Sequence, residues 1–237
     1  MKRALVTGGA SPIGAAIAAE LGEAGIHVIV HANTSRDAAE AVASRIRETG
    51  GSAEVLIADL TDPAAEETLA TLAEDPVQIL VHNAGLQRDM PFAAMEREDW
   101  TRVIDVNLNS FFTALRPLIM PMMRSRWGRI VAISSLTAVR GNRGQTNYAA
   151  AKGGLLPLSK SLTREYGSRG ITANVIAPGV IDTPETRALD NFEDLIRFSP
   201  AGRAGHPGEV AALTAFLVSE KAAYLSGQLI CLDGGSS

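Results

Sequence analysis

Short, unbroken apolar runs recur along the chain and leave few folds open to it: residues 4–6, 28–30, 55–57, 79–81, 130–133, 175–176 and 229–232. A strand with one wet face alternates apolar and polar residues, whereas a run that is apolar at every position has both faces covered. Between the runs lie helical patterns. In one of them Ala39, Val42, Ala43 and Ile46 share a side, and Glu40, Arg45 and Arg47 occupy the other. Strands covered on both faces and separated by amphipathic helices predict an α/β fold, a doubly wound parallel sheet with helices on both faces.

A chain of 237 residues can bury one large core, and no linker-like tract or repeat divides it, so a single domain spanning 1–237 is expected. Residues 183–203 stand apart. They follow a strand, mix Pro184, Glu185, Asp190, Phe192 and Pro200, and carry only a short helical pattern over 190–198. That segment reads as a lid over a substrate, with an ordinary surface connection as the other reading. A net charge of −4 does not suggest the basic face that nucleic acid requires. Cys231, the only cysteine, excludes an intrachain disulfide, fits a reducing compartment and reads as packed core. Met1-Lys2-Arg3 runs directly into apolar residues with no room for a signal peptide, and no run is long enough to span a bilayer. The expectation is a soluble, cytoplasmic protein.

The first run leads into Thr7-Gly8-Gly9-Ala10-Ser11-Pro12-Ile13-Gly14, a glycine-rich turn opening a helix of small residues. Such glycines let the backbone approach a pyrophosphate, while free amides and the helix dipole stabilise its charge. Alone, the turn fits a structural βα connection equally well. Pro12 stands where many dinucleotide folds have a second glycine. With Ser11 as N-cap, Pro12 takes the first helical position, where a missing N–H costs little. After the second run, folds selective for NAD place an acid for the ribose 2′-hydroxyl. Here His31-Ala32-Asn33-Thr34-Ser35-Arg36 offers no carboxylate before Asp37. Asn33, Thr34, Ser35 and Arg36 suit a 2′-phosphate instead, which favours NADPH. Asp59 and Leu60 end the third run on the adenine side, and Asn83, Ala84 and Gly85 follow the fourth on the ribose side. His27, His31, His82 and His206 lack metal-like spacing, so no metal is expected and His82 reads as a polar strand-end residue.

The fifth run ends in Ser134-Ser135, and Tyr148 and Lys152 share one face of a helix at i, i+4. A phenol titrates near pH 10, and a neighbouring ammonium favours its phenolate, so Lys152 is expected to lower the Tyr148 pKa. In carbonyl reduction Tyr148 delivers a proton to the developing alkoxide and Ser135 donates a hydrogen bond to the same oxygen, while the nicotinamide supplies hydride. Lys152 also suits the ribose hydroxyls. A Tyr-x-x-x-Lys pair also arises by chance on surface helices. Joined to a serine-ended strand and an N-terminal nucleotide turn, it becomes specific.

Through the Thr7–Gly14 turn, Asn83-Ala84-Gly85, Asn107, Ser135, Tyr148, Lys152 and Pro178-Gly179, the sequence resembles the short-chain dehydrogenase/reductase family over its whole length. The resemblance implies a Rossmann-type sheet of seven strands and a tetrad in which Asn107 holds a water that relays protons through Lys152. It assigns Pro178, Gly179, Ile181 and Thr183 to the nicotinamide. Pro12 and His82 depart from the family's commoner Gly and Asn.

Within the family, residues 141–152 and 168–172 look most like 3-oxoacyl-acyl-carrier-protein reductases. That likeness implies a 3-oxoacyl thioester as substrate and an acyl carrier protein as partner. Asn142, Gln145, Arg126 and Arg169 fall to substrate and carrier docking near the active-site mouth, and ordinary solvated arginines are the alternative for the last two. It also implies a homotetramer built partly on helices containing Phe111, Phe112 and Leu115, and Leu155, Leu158 and Leu162, residues that equally suit an internal core. Two further readings stay open: reduction of a free ketone, sugar, polyol or steroid, and a catalytically idle NADPH-binding regulator.

Overall fold

The computed structural model describes residues 1–73, 75–197 and 199–237. Among them, β1 (Arg3–Thr7), β2 (His27–Ala32), β3 (Ser52–Ile57), β4 (Ile79–His82), β5 (Gly128–Ile133), β6 (Ile171–Pro178) and β7 (Leu229–Leu232) form one sheet in the order β3-β2-β1-β4-β5-β6-β7. Every pairing is parallel. Each apolar run of the sequence is therefore a strand. The chain steps outward from β1 to β3, crosses back to β4, and steps outward the other way. Loops leaving β1 and β4 diverge at their carboxyl ends, where doubly wound sheets open a crevice.

Alternation within the strands assigns the two layers. Ala4, Val6, Val28, Val30, Ile79 and Val81 pack with α1 (Pro12–Glu23), α2 (Arg36–Glu48) and α10 (Pro207–Val218). Leu5, Ile29, Leu80, Ile130 and Ala132 pack on the other face with α3 (Ala65–Ala70), α5 (Ser110–Ser125) and α7 (Thr146–Tyr166). Successive strand side chains point to opposite faces, so a strand apolar throughout supplies both cores at once. Helix α4 (Arg97–Ile104) enters α5 through a π turn, Asp105–Asn109. Three short helices, α6 (Thr137–Arg140), α8 (Pro184–Arg187) and α9 (Phe192–Arg197), follow the carboxyl ends of β5 and β6. The helical pattern over 190–198 is thus α9, with Phe198 outside the described residues.

Phe111, Leu115 and Leu155 are interior, while Phe112 is 59% exposed and Leu158 and Leu162 are half-buried at the edge of the second layer. Cys231 is half-buried and not packed core, because β7 is an edge strand with only β6 beside it. Among the described residues no helix is long and apolar enough to cross a membrane.

Leu118, 1% exposed at the centre of the second layer, tests this packing. Leu118→Ala should lower unfolding stability by about 2–5 kcal/mol in urea titrations, and a loss below about 1 kcal/mol would place it outside the core.

Candidate active site

The carboxyl ends of β1, β4, β5 and β6 surround a cleft of about 500 Å³, lined by the glycine turn, the Asn83–Gln87 loop, Ser135, Tyr148, Lys152 and the segment from Pro178 to Thr186. At its base Gly8 adopts φ 60°, and a Cβ on Gly14 would stand 2.2 Å from the Gly8 carbonyl oxygen. Backbone meets backbone there, so only glycine fits. Ser11 is the N-cap of α1, its Oγ accepting from Gly14 N at 3.2 Å, and Pro12 takes the first turn. The Asn83 amide donates to Gly8 O (2.9 Å) and Ser11 Oγ (3.1 Å), bolting the turn to β4. His31 braces it from below. Its Nδ1 accepts from Gly8 N (3.3 Å) and its Nε2 donates to Ala58 O (2.9 Å), while burial holds its pKa below the ordinary range and keeps the ring neutral.

Beyond β2, Asn33, Thr34, Ser35 and Arg36 are all exposed, and Arg36 pairs with no carboxylate among the described residues. Asp59 lies at the end of β3 beside buried Leu60. Its carboxylate accepts from Thr61 N (2.9 Å) and Thr61 Oγ1 (2.7 Å), and these bonds hold its pKa low.

At the reaction end, Ser134 Oγ donates to Lys152 O at 3.0 Å and fastens β5 to the first turns of α7. Tyr148 and Lys152, 8% and 3% exposed, lie on the same face of that helix. Lys152 Nζ donates to Ile133 O (2.9 Å), and burial brings its pKa down from 10.5 to about 8. Tyr148 lines the cleft together with Ser135 and Gln87. Its pKa is raised, contrary to the expectation from the lysine's field. Burial is the largest influence and outweighs the opposing influence of Gln87 and Ser135, and Lys152 Nζ stands 5.9 Å from the ring centre. At neutral pH Tyr148 is a phenol.

Asn107 occupies the π turn and is fully buried. Its side chain accepts from Leu86 N (3.3 Å) and donates to Leu86 O (2.8 Å) and Val103 O (2.8 Å). Gly85 passes so close that a Cβ there would lie 3.0 Å from Asn107 Oδ1 and 3.3 Å from Lys152 Nζ. Ala84 and Gly85 thus sit beside the lysine. Across the cleft, Thr183 caps α8 with Thr186, and Ile181 is buried against Gly205.

Two docking assignments change. Gln145 is buried, with Nε2 on Asp89 Oδ2 (2.7 Å) and Oε1 accepting from Thr137 Oγ1 and Asn142 Nδ2 (both 3.0 Å). It braces the Gln87–Asp89 loop and leaves exposed Asn142 as the only one of the two on the surface. Arg126 and Arg169 are exposed and adjacent, Arg126 Nη2 donating to Ser168 O at 3.0 Å, but they precede β5 and β6. They therefore lie at the amino end of the sheet, a strand length of roughly 20 Å from the mouth expected of them within the same chain. Gln87 and Asp89 were not singled out from the sequence, and their place next to Asn83-Ala84-Gly85 was the available signal. Among the described residues no group of three or more His, Cys, Asp or Glu side chains could hold a metal.

Residues 8–237 match the family described as "Enoyl-(Acyl carrier protein) reductase". The chain is 43% identical over 235 residues to the 3-oxoacyl-acyl-carrier-protein reductase FabG of Aggregatibacter actinomycetemcomitans, covering 98% of this chain and 97% of that one. It is 44% identical to the enzyme of the same name from Escherichia coli (99% and 96% covered) and 41% to that of Pseudomonas aeruginosa (99% and 96%). With the parallel sheet, the glycine turn and the Ser135, Tyr148 and Lys152 cluster around one crevice, these likenesses establish that the chain belongs to the short-chain dehydrogenase/reductase family of nicotinamide-dependent oxidoreductases.

Proposed function

We propose that this protein is an NADPH-dependent reductase of 3-oxoacyl chains held as thioesters on an acyl carrier protein, serving fatty-acid synthesis or a specialised polyketide or polyene route. The observation that carries the chemistry is that Tyr148, kept protonated by burial, and Ser135 line one strand-end cleft. Two hydroxyls in one cleft suit a carbonyl oxygen that becomes an alkoxide. The substrate reading rests on relatives that match nearly end to end and bear the ketoacyl-reductase name.

The residues present fit a nicotinamide dinucleotide. Gly8 to Gly14 form a cradle that any Cβ at Gly14 would fill, and Ser11 to Gly14 open a helix of 12 residues toward it. Asn33, Thr34, Ser35 and Arg36 would take a 2′-phosphate, Asp59 and Leu60 the adenine side, Asn83 to Gly85 with Lys152 the nicotinamide ribose, and Pro178, Gly179, Ile181 and Thr183 the carboxamide. When bound, that group supplies hydride. Tyr148, kept protonated by burial, holds the proton that neutralises the alkoxide, and Ser135 orients the oxygen. Lys152, charged at neutral pH though its pKa is near 8, stabilises the tyrosinate left behind. Asn107 fixes the loop that passes between them. Residues 183–203 act as the substrate lid, with Glu185 and Thr186 on the cleft wall.

The protein works as a cytoplasmic homotetramer. Helices α5 and α7 both start at the catalytic end and finish shortly before Arg126 and Arg169. Phe112 and Met120, 59% and 50% exposed, lie on α5. Two copies packed antiparallel through that face bring one protomer's arginines to its partner's mouth, where they meet an acidic carrier.

Turnover of carrier-bound 3-oxoacyl chains, followed by NADPH and NADH oxidation in parallel and set against enoyl thioesters and free ketones, tests the reading. NADPH-linked ketoacyl reduction is expected to dominate, and Tyr148→Phe should lower kcat by about 10²–10⁴-fold while cofactor binding persists. No activity on any 3-oxoacyl thioester would reject it.

Arg126→Glu combined with Arg169→Glu should raise KM for the carrier-bound substrate at least about tenfold, the effect of one rim charge pair or two. KM for the corresponding coenzyme A thioester should stay within about twofold; equal changes would exclude carrier docking.

Lysine 152 also yields a stability prediction. Its folded pKa near 8 lies below the unfolded 10.5, so between those values the unfolded chain binds more protons and stability rises with pH. Below pH 8 the full penalty applies, on the order of 3 kcal/mol. Lys152→Met should therefore melt higher than the parent at pH 7 while losing turnover; a lower melting temperature would contradict the burial penalty.

A further inference from the structure

His82 is fully buried, sits at the last position of β4 in register with Thr7 and Ala132, and takes no part in the chemistry derived above. Its ring makes two polar contacts, each with a residue of the site. Nδ1 lies 3.3 Å from Thr7 Oγ1, and Nε2 lies 3.4 Å from the Asn107 carbonyl oxygen. A third contact is apolar, with the Phe111 ring edge-on at 5.2 Å and 77°.

The hydrogen positions follow from the partners. A carbonyl only accepts, so Nε2 carries the proton and donates to Asn107 O. Nδ1 is then an acceptor, and the Thr7 hydroxyl donates its hydrogen bond to it. Thr7 Oγ1 in turn accepts from Asn83 N and Ala84 N, both at 3.0 Å. One directed chain runs from the ribose-side loop through Thr7 and His82 to the π turn. A single neutral tautomer satisfies every member. Burial and the nearby Lys152 and His31, the titratable groups facing the ring, disfavour a second proton and bring its pKa to about 3.

The π turn is the part of this arrangement that needs support. Inserting one residue into a helix interrupts the i to i−4 ladder and shifts which carbonyls find donors. Asn107 sits in that turn, and its side chain clamps Leu86 through both N and O. Leu86 precedes Gln87, which lines the same cleft as Tyr148. We propose that His82 is a positioning residue for the reductase reaction: its Nε2–H holds the Asn107 carbonyl, sets the π turn, and through the Asn107 clamp on Leu86 aims Gln87 at Tyr148. This rests on the reductase reading above. An asparagine at position 82 could face Thr7 from the same place as Nδ1, but its shorter side chain does not extend to the Nε2 position. The imidazole spans both partners.

Two substitutions separate the roles of the two nitrogens. His82→Phe preserves the ring and its packing on Phe111 but removes the donor and the acceptor. His82→Gln returns an N–H near the Nε2 position. The phenylalanine variant is expected to lose about 10–100-fold in kcat for the 3-oxoacyl thioester, with KM and the NADPH dissociation constant within about threefold, since Thr7 Oγ1 still holds Asn83 and Ala84. The glutamine variant is expected to keep kcat within about fivefold. A folded phenylalanine variant with native kcat, or glutamine and phenylalanine variants that fall alike, would overturn the proposal. If the phenylalanine variant does not fold, ¹⁵N NMR of the histidine rings in the unmodified protein decides. His82 is expected as the neutral Nε2–H tautomer from pH 5 to 8, and the Nδ1–H tautomer or a protonated ring would refute the assignment. That readout does not need turnover, so a protein inactive on every 3-oxoacyl thioester would reject the substrate reading and leave the hydrogen-bond assignment separately testable.

Discussion

A parallel sheet covered on both faces offers water only the ends of its strands, and the chemistry of this protein is confined there. The backbone groups of β1, β4, β5 and β6 are spent on one another along the ladders, so polar side chains can be held only where the ladders stop. Thr7, Asn83, Ser134, Ser135 and the Pro178-Gly179 turn all lie at or just past those stops. The same burial that makes the strands legible as apolar runs thus also gathers the polar residues at one rim. Helix α7 is secured to that rim by polar bonds from Ser134 to the Lys152 carbonyl and from the Lys152 ammonium to the Ile133 carbonyl.

Burial also governs the proton chemistry, and it acts in opposite directions on the two titratable members of the centre. It keeps the Tyr148 phenol protonated and makes the Lys152 ammonium easier to deprotonate. Tyr148 therefore keeps its proton at neutral pH, beside a lysine whose pKa lies near 8. A lysine at the surface would stabilise a tyrosinate less, because water would screen it. The cost is a charged group in the interior, held by carbonyl oxygens and not by a carboxylate.

Much of this was legible before any coordinates. The strands, the Ser11 cap, the Pro12 position and the pairing of Tyr148 with Lys152 follow from local rules of periodicity and capping, and each is found where those rules put it. What escaped depends on distant parts of the chain. The rise in the Tyr148 pKa comes from how deeply α7 is covered, which no neighbour in sequence reports. Gln145 was assigned to substrate and carrier docking, yet it is buried and bonded to Asp89, 56 positions away. The π turn at Asn107 has no composition signature, and the placement of Arg126 and Arg169 follows from which end of a strand they precede, a property of topology that motif matching ignores.

The parallel register that sets Thr7 opposite His82 has an evolutionary consequence. Because strand side chains alternate between faces, inserting or deleting one residue within β1 or β4 would turn every later side chain of that strand to the wrong layer. Here it would also separate the threonine from the histidine. Length changes in those two strands are thus forbidden twice over, once by the core and once by the polar relay. The edge strand β7, half-buried along its length and paired on one side only, carries neither restraint. Variation in length among relatives of this chain should accumulate in the loops and at that edge, and the two central strands should keep the same number of residues wherever the histidine is kept.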